Sequence, residues 1–279
     1  MIGTENKKWL MLTITSEESI LEILDAHLQK YYLGMMKNED NWSFYFEVSI
    51  KDKVENLITE FSQQFKFTST QVTIKSEPRH LAWQDNFQLI RVSDEMIVIP
   101  DWDKKEYSEK VVIKIRPGMA FGTGHHFTTK LMLKALSNML DIGDSVLDIG
   151  TGSGILAIAS SKLGARKVDA VENDHVCKEN FTENLLLNNI HNSVELFVSD
   201  ALEWKDYSQN LILANINRNV IMKLIPKMIN SKGMIVLSGL LESDEKMVID
   251  QCKKYNFDII EILRDDEWIC LVIIQKEQI

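Results

Sequence analysis

The chain has 279 residues, 45% of them apolar and 26% charged, which is enough to bury one large core or two unequal ones in an ordinary globular protein. A net charge of −10 with no run of basic residues speaks against sequence-independent nucleic-acid binding, and no apolar run is long enough to span a bilayer. Its three cysteines, Cys177, Cys252 and Cys270, share no ligand-like spacing. They read as free thiols of a reducing compartment, and Trp9–Ile14 is too short for a secretory segment, so a cytoplasmic location without a metal is expected.

Residues 8–76 predict the order βαββαβ. WLMLTIT is a strand, a helix comes next over about 16–32, a hairpin pair forms around Met35 and WSFYFEVS, a second helix covers about 51–65, and TSTQVTIK closes the set. Ile20, Leu24 and Leu28 fall on one helical face, Val54, Leu57, Ile58 and Phe61 on another, and Trp42, Phe44, Phe46 and Val48 alternate along a strand. The simplest assembly is a small α+β, ferredoxin-like domain over 1–75. Nothing in it looks catalytic, so it reads as a binding or positioning module.

The pattern loosens over 76–110, where Pro78, Trp83, Phe87, Pro100 and Trp102 suggest a connector partly packed on the C-terminal part of the chain. From 111 to 279 strands and helices alternate: SVLDI, KVDAVE, SVELFVS, LILANI and MIVLSG are the strands. That alternation predicts a parallel sheet covered on both faces. FDIIEIL and EWICLVIIQ are separated only by RDD, so the sheet ends in an antiparallel hairpin. The expected class is therefore α/β and Rossmann-like, with the sheet order of a class I methyltransferase. A dinucleotide dehydrogenase would end in another parallel crossover.

The densest chemistry lies in SVLDIGTGSG, where an apolar strand meets Gly150, Gly152 and Gly154 and then a helix. Such a turn lets the backbone approach a ligand while the helix N-terminus offers unpaired N–H donors. Ile155 occupies the place where a dinucleotide fingerprint needs its third glycine, and no Gly-Lys-Ser/Thr occurs, so neither a nicotinamide site nor a phosphate loop fits. Asp148 before the first glycine, with Glu172 at the end of the second strand, instead resembles the E/D-x-G-x-G-x-G motif of S-adenosylmethionine-dependent methyltransferases. Glu172 is placed to accept the two ribose hydroxyls. Asp200, ending the third strand, could accept from the adenine amino group or merely cap a helix. Asn215, ending the fourth, could orient an amine through its side-chain oxygen, although asparagine there also forms turns.

Upstream, RPGMAFGTGHHFTTKLMLKAL predicts a glycine-bearing loop and then a helix that Thr128 or Thr129 opens. Thr129 could be a helix cap, or it could touch the methionine end of the cofactor beneath that loop. His125 and His126 have no Glu-x-x-His or cysteine partner for a metal.

Together PGMAFGTGHHFTT, VLDIGTGSGILAIASSKLGA, the ANI of the fourth strand, LSGLL, and Glu267–Trp268 resemble the ribosomal protein methyltransferases of the PrmA type, which modify the eleventh protein of the large subunit. The resemblance covers about residues 79–279. It implies S-adenosyl-L-methionine as cofactor, held by Thr129, Gly150, Glu172 and Asn215, and N-methylation of lysine side chains and an N-terminal amine on a basic ribosomal protein. Glu172 replaces the aspartate usual in the family. Residues 1–75 match its substrate-recognition domain only in inferred fold, leaving methylation of another protein's lysine, or a cofactor-binding module without activity, as alternatives. Methylation of a nucleic-acid amine is disfavoured, because Asn215-Ile216-Asn217-Arg218 lacks the prolines and stacking aromatic of Asn-Pro-Pro-aromatic.

Overall fold

A computed structural model describes residues 9–28, 31–32, 34–37, 41–75, 89–116, 126–175 and 177–276. The chain divides into two compact units, Met1–Gln88 and Leu89–Ile279. In the first, β1 (Trp9–Thr15), α1 (Glu18–Leu28), β2 (Gly34–Lys37), β3 (Trp42–Glu47), α2 (Lys51–Gln64) and β4 (Ser69–Lys75) succeed one another in the expected order. The strands form an antiparallel sheet ordered β2-β3-β1-β4, the ferredoxin-like arrangement. Its core is built by the two periodicities. Leu10, Leu12 and Ile14 alternate with Phe44 and Phe46 on the inner sheet face, and Leu21, Leu24, Leu28, Val54, Ile58 and Phe61 come from the helices.

The second unit begins earlier than the sequence suggests. Residues 89–110, part of the span read as connector, contribute β5 (Ile90–Arg91) and β6 (Met96–Pro100), which join β7 (Val111–Ile115) in a three-stranded sheet. Every residue of β6 is buried, and Met96 and Val98 pack in the same core as the helices of the large unit. Its shortness and terminal Pro100 disguise this in the sequence. Trp83 and Phe87 lie outside the described residues.

Beyond β7 come α3 (Phe127–Met139), β8 (Ser145–Ile149), α4 (Ile155–Leu163), β9 (Lys167–Glu172), α5 (Cys177–Leu187), β10 (Val194–Val198), β11 (Leu211–Asn215), α6 (Arg218–Leu224), β12 (Met234–Leu241), α7 (Glu245–Lys254), β13 (Phe257–Asp265) and β14 (Trp268–Gln275). The seven-stranded sheet has the order β10-β9-β8-β11-β12-β14-β13. Its first five strands are parallel, while β14 and β13 run antiparallel to their neighbours. One face is covered by α3, α4 and α5 through Leu136, Ile158 and Phe181, the other by α6 and α7 through Ile221, Leu224, Val248 and Cys252. Burial on both faces explains the continuous apolar strands. Among the described residues no helix is long and apolar enough to cross a membrane.

Strand order reverses between β8 and β11: from β8 the chain builds outward to β9 and β10, then returns to the other side. Ligands of open α/β sheets bind at the carboxyl edge of such a reversal. Gly150 succeeds β8 there, and Asn215 ends β11 one residue beyond the Ala214–Ile149 pair.

Candidate active site

The turn from β8 to α4 is held from below and from the side. Gly150, Gly152 and Gly154 all have left-handed φ, at +72°, +53° and +83°. The Gly150 and Thr151 amides donate to the Val171 carbonyl of β9 at 2.8 and 3.1 Å, so the turn folds against the neighbouring strand. Gly154 precedes α4 without a side chain to cap it and packs against the Phe181 ring.

Asp148, read as a cofactor residue, lies beneath the turn and is 0% exposed. Its Oδ2 accepts from the Thr151 hydroxyl at 2.6 Å, bracing the turn from inside. Burial drives its pKa from 3.8 to about 7, against the pull of that hydroxyl and of the Ala157 amide. Because the folded value is the higher one, the stability Asp148 contributes is complete below its ordinary value and is lost as pH rises through about 7. Asp148→Asn keeps an acceptor for Thr151 and removes the titration. Its melting temperature relative to the parent should therefore rise between about pH 5 and about pH 8, and a difference that stays flat across that range contradicts the raised pKa.

Glu172 ends β9 beside the turn, and its carboxylate is engaged with backbone. Oε2 accepts from the Gly152 amide at 3.0 Å, while Oε1 accepts from the Asn173 and Asp174 amides at 2.9 and 3.0 Å. The same side chain thus clamps the glycine turn to the end of β9, a role the sequence does not reveal. Oε2 keeps a lone pair for a further donor.

On the other side of the reversal, α3 brings Thr129 to β11. The Asn215 Nδ2 donates toward the Thr129 hydroxyl at 3.5 Å, and Thr129 is fully buried. Among the described residues the Asn215 Oδ1, which is buried, has no hydrogen-bond partner. A buried, unpaired amide oxygen costs about 1–3 kcal/mol, so its place at the carboxyl edge suits a ligand donor such as an amine.

Neither threonine caps α3. The helix begins at Phe127, and His126 is its cap, accepting from the Thr128 amide through Nδ1 at 3.3 Å. The His126 ring meets Trp268 edge-on, with centroids 4.7 Å apart, bringing the start of α3 to the β13–β14 turn, and burial lowers its pKa. The glycine-bearing segment 117–125, with His125, lies outside the described residues. Among the described residues no group of three or more His, Cys, Asp or Glu side chains could hold a metal ion.

Asp200 resolves differently from Glu172. Its Oδ1 accepts from the Leu202 amide at 2.8 Å and caps a short 3-10 turn, Ala201–Glu203. The capping alternative is what the geometry displays.

Two residues of the site escaped the sequence. Asn184 of α5 is 0% exposed, donates to the Ser153 carbonyl at 2.9 Å and accepts from the Arg116 amide at 2.7 Å. Asn188, one turn on, donates to the Lys114 carbonyl at 2.6 Å and accepts from the Lys114 amide at 2.9 Å. They tie the end of β7 to the glycine turn. Their only signal was an i, i+4 pair of asparagines on a helix, which in isolation reads as a polar surface.

The sheet order, its closing hairpin and a glycine turn at the strand reversal define a class I S-adenosylmethionine-dependent methyltransferase. Over residues 11–276 the sequence matches the family described as ribosomal protein L11 methyltransferase (PrmA), and the chain belongs to that family. The match extends into the first unit, which sequence motifs alone had left to inferred fold.

Among its relatives, the ribosomal protein L11 methyltransferase of Macrococcus caseolyticus is 31% identical over 227 residues, covering 80% of this chain and 72% of that protein. That of Clostridium perfringens is 36% identical over 194 residues, which is 68% of this chain and 62% of the Clostridium protein. The aligned stretch thus spans about three-fifths of the latter. A crystal structure of ribosomal protein L11 methylase from Lactobacillus delbrueckii subsp. bulgaricus is 30% identical, covers 68% of this chain and 100% of its own, and superposes with a TM-score of 0.64.

Proposed function

We propose that this chain transfers methyl groups from S-adenosylmethionine to lysine side-chain amines and the N-terminal amine of ribosomal protein L11, the substrate named for its relatives. The observation that carries the amine is the buried Oδ1 of Asn215 at the strand reversal, which has no partner among the described residues.

The residues fit the cofactor. The left-handed backbone of Gly150, Gly152 and Gly154 suits a close approach of the cofactor, the free lone pair of Glu172 Oε2 suits a ribose hydroxyl, and the Thr129 hydroxyl beside Asn215 suits the methionine end. Asp200 keeps its second oxygen for the adenine amino group. When bound, S-adenosylmethionine supplies a sulfonium-activated methyl, so no metal or covalent protein nucleophile is required.

The chain's task is then alignment. Asn215 Oδ1 accepts an N–H of the incoming amine and turns its lone pair toward the methyl, while Asn215 Nδ2 is steadied by the Thr129 hydroxyl. The amine must be neutral to attack. Removing it from water lowers its pKa and favours that form, and the proton released as the N–C bond forms passes to water. The acidic chain, at −10, suits a basic protein substrate better than a polyanion, and a cytoplasmic site of action accords with free Cys252 and Cys270. The unit Met1–Gln88 is the substrate reader in this scheme.

The test is methyl transfer from labelled cofactor to purified L11, with the product peptides read by mass spectrometry. Label on lysine side chains and the α-amine is expected. Label on carboxylate, arginine or glutamine side chains overturns the amine reading.

A further inference from the structure

Beside Asn215 lies a steric fit between strand and turn. Ile216 is wedged between two glycines. A Cβ on Gly150 would overlap Ile216 Cγ2, and one on Gly239 would overlap the Ile216 carbonyl oxygen and lie 2.8 Å from its carbonyl carbon. Gly239 has φ +86° and falls where the β12–β14 pairing slips register, between Leu237 and Leu240. This is a bulge at which the sheet admits another backbone. The Ile216 amide donates to the Ser238 carbonyl at 3.2 Å, and the Ser238 hydroxyl is anchored to the Ile269 carbonyl at 2.9 Å. The peptide after Asn215 is thereby seated in β12 on one side, while its side chain rests on the first glycine of the cofactor turn.

We propose that Gly239 is a positioning residue for methyl transfer: its missing Cβ lets the Ile216 peptide seat in the β12 bulge, and that seat fixes the Asn215 carboxamide relative to the glycine turn. A Cβ at this position meets backbone, which yields only by moving. Asn215, the preceding residue, is carried with it, and a misplacement near 1 Å at a reacting centre is enough to cost about 10²-fold in rate. This inference rests on the amine-orienting role proposed for Asn215.

The test uses the full chain with purified L11 and compares Gly239→Ala with Gly239→Asn. Asparagine tolerates left-handed φ far better than alanine but carries the same Cβ. Both variants should lose at least about tenfold in kcat while cofactor Kd, measured by calorimetry, stays within about threefold of the parent. Recovery of activity in Gly239→Asn would show that only the backbone angle matters and would overturn the proposal. So would a parent-like kcat in Gly239→Ala.

In an Asn215→Ala background, Gly239→Ala should cost little more, because the two act through one group; full additivity contradicts the coupling. An Asn215→Ala variant that itself retains parental kcat defeats the reading of Asn215, whereas loss in Asn215→Ala with none in Gly239→Ala defeats this inference alone. Should the Gly239 variants fail to fold, Ile216→Ala removes the wedge on Gly150 and keeps the backbone seat. Because the seat is kept, a kcat within about threefold of the parent with cofactor Kd preserved is then expected, and a loss of about tenfold or more, which would place the positioning in the side-chain wedge instead, overturns the proposal.

Discussion

Asn215→Ala is expected to lower kcat for methyl transfer by about 10²-fold, the scale of a lost positioning contact at a reacting centre. Cofactor Kd should change by less than about threefold, because most contacts proposed for the cofactor lie on the glycine turn and Glu172. The asymmetry comes from the structure. Asn215 spends its Nδ2 on Thr129 and leaves Oδ1 buried and, among the described residues, unpaired, so removing it deletes an acceptor that none of them uses. The fold should not suffer, since a buried unsatisfied oxygen is lost with the side chain. Steady-state kinetics with L11 and calorimetry with cofactor, run on the same preparation, check both halves. A kcat within about twofold of the parent reduces Asn215 to a turn residue.

The second large effect belongs to Glu172. Glu172→Ala should weaken cofactor binding by about 2–4 kcal/mol, through loss of charge-assisted hydrogen bonds to the ribose. The geometry adds a cost that a strand-end carboxylate would not ordinarily carry: three backbone amides, those of Gly152, Asn173 and Asp174, lose their acceptor. A lower melting temperature without cofactor should accompany the weakened binding. Glu172→Gln, with one acceptor oxygen kept, should fall between parent and alanine on both measures. Unchanged cofactor affinity in Glu172→Ala defeats the assignment.

What the sequence made legible, and what it hid, divides along physical lines. The glycine turn was readable because an apolar strand, three glycines at alternating positions and an apolar helix leave few alternatives. The antiparallel end was readable because RDD is too short for a crossover, and Asp266 indeed takes a left-handed φ of +53° in that turn. The ferredoxin-like order emerged from strand and helix periodicities that agree with one another.

What stayed hidden depends on contacts distant in sequence. Met96–Pro100 looks like connector until its burial against the helices of the large unit is seen. Asn184 and Asn188 look like surface until β7 is placed beside them. The N-cap of α3 was misplaced by two or three residues because histidine is a weak capping signal beside two threonines, yet His126 Nδ1 takes the Thr128 amide. Glu172 as a clamp was invisible for the same reason: its partners are backbone amides, which carry no sequence signal.

Whether this chain methylates amines of one ribosomal protein is decided by a single competition. The full chain is incubated with labelled S-adenosylmethionine and the complete set of large-subunit components, protein and RNA, which are then separated. Label is expected in a single protein band, identified by mass as L11 and carried on amine nitrogens. Label in ribosomal RNA, or spread over many proteins with L11 unmodified, contradicts methylation of that one substrate.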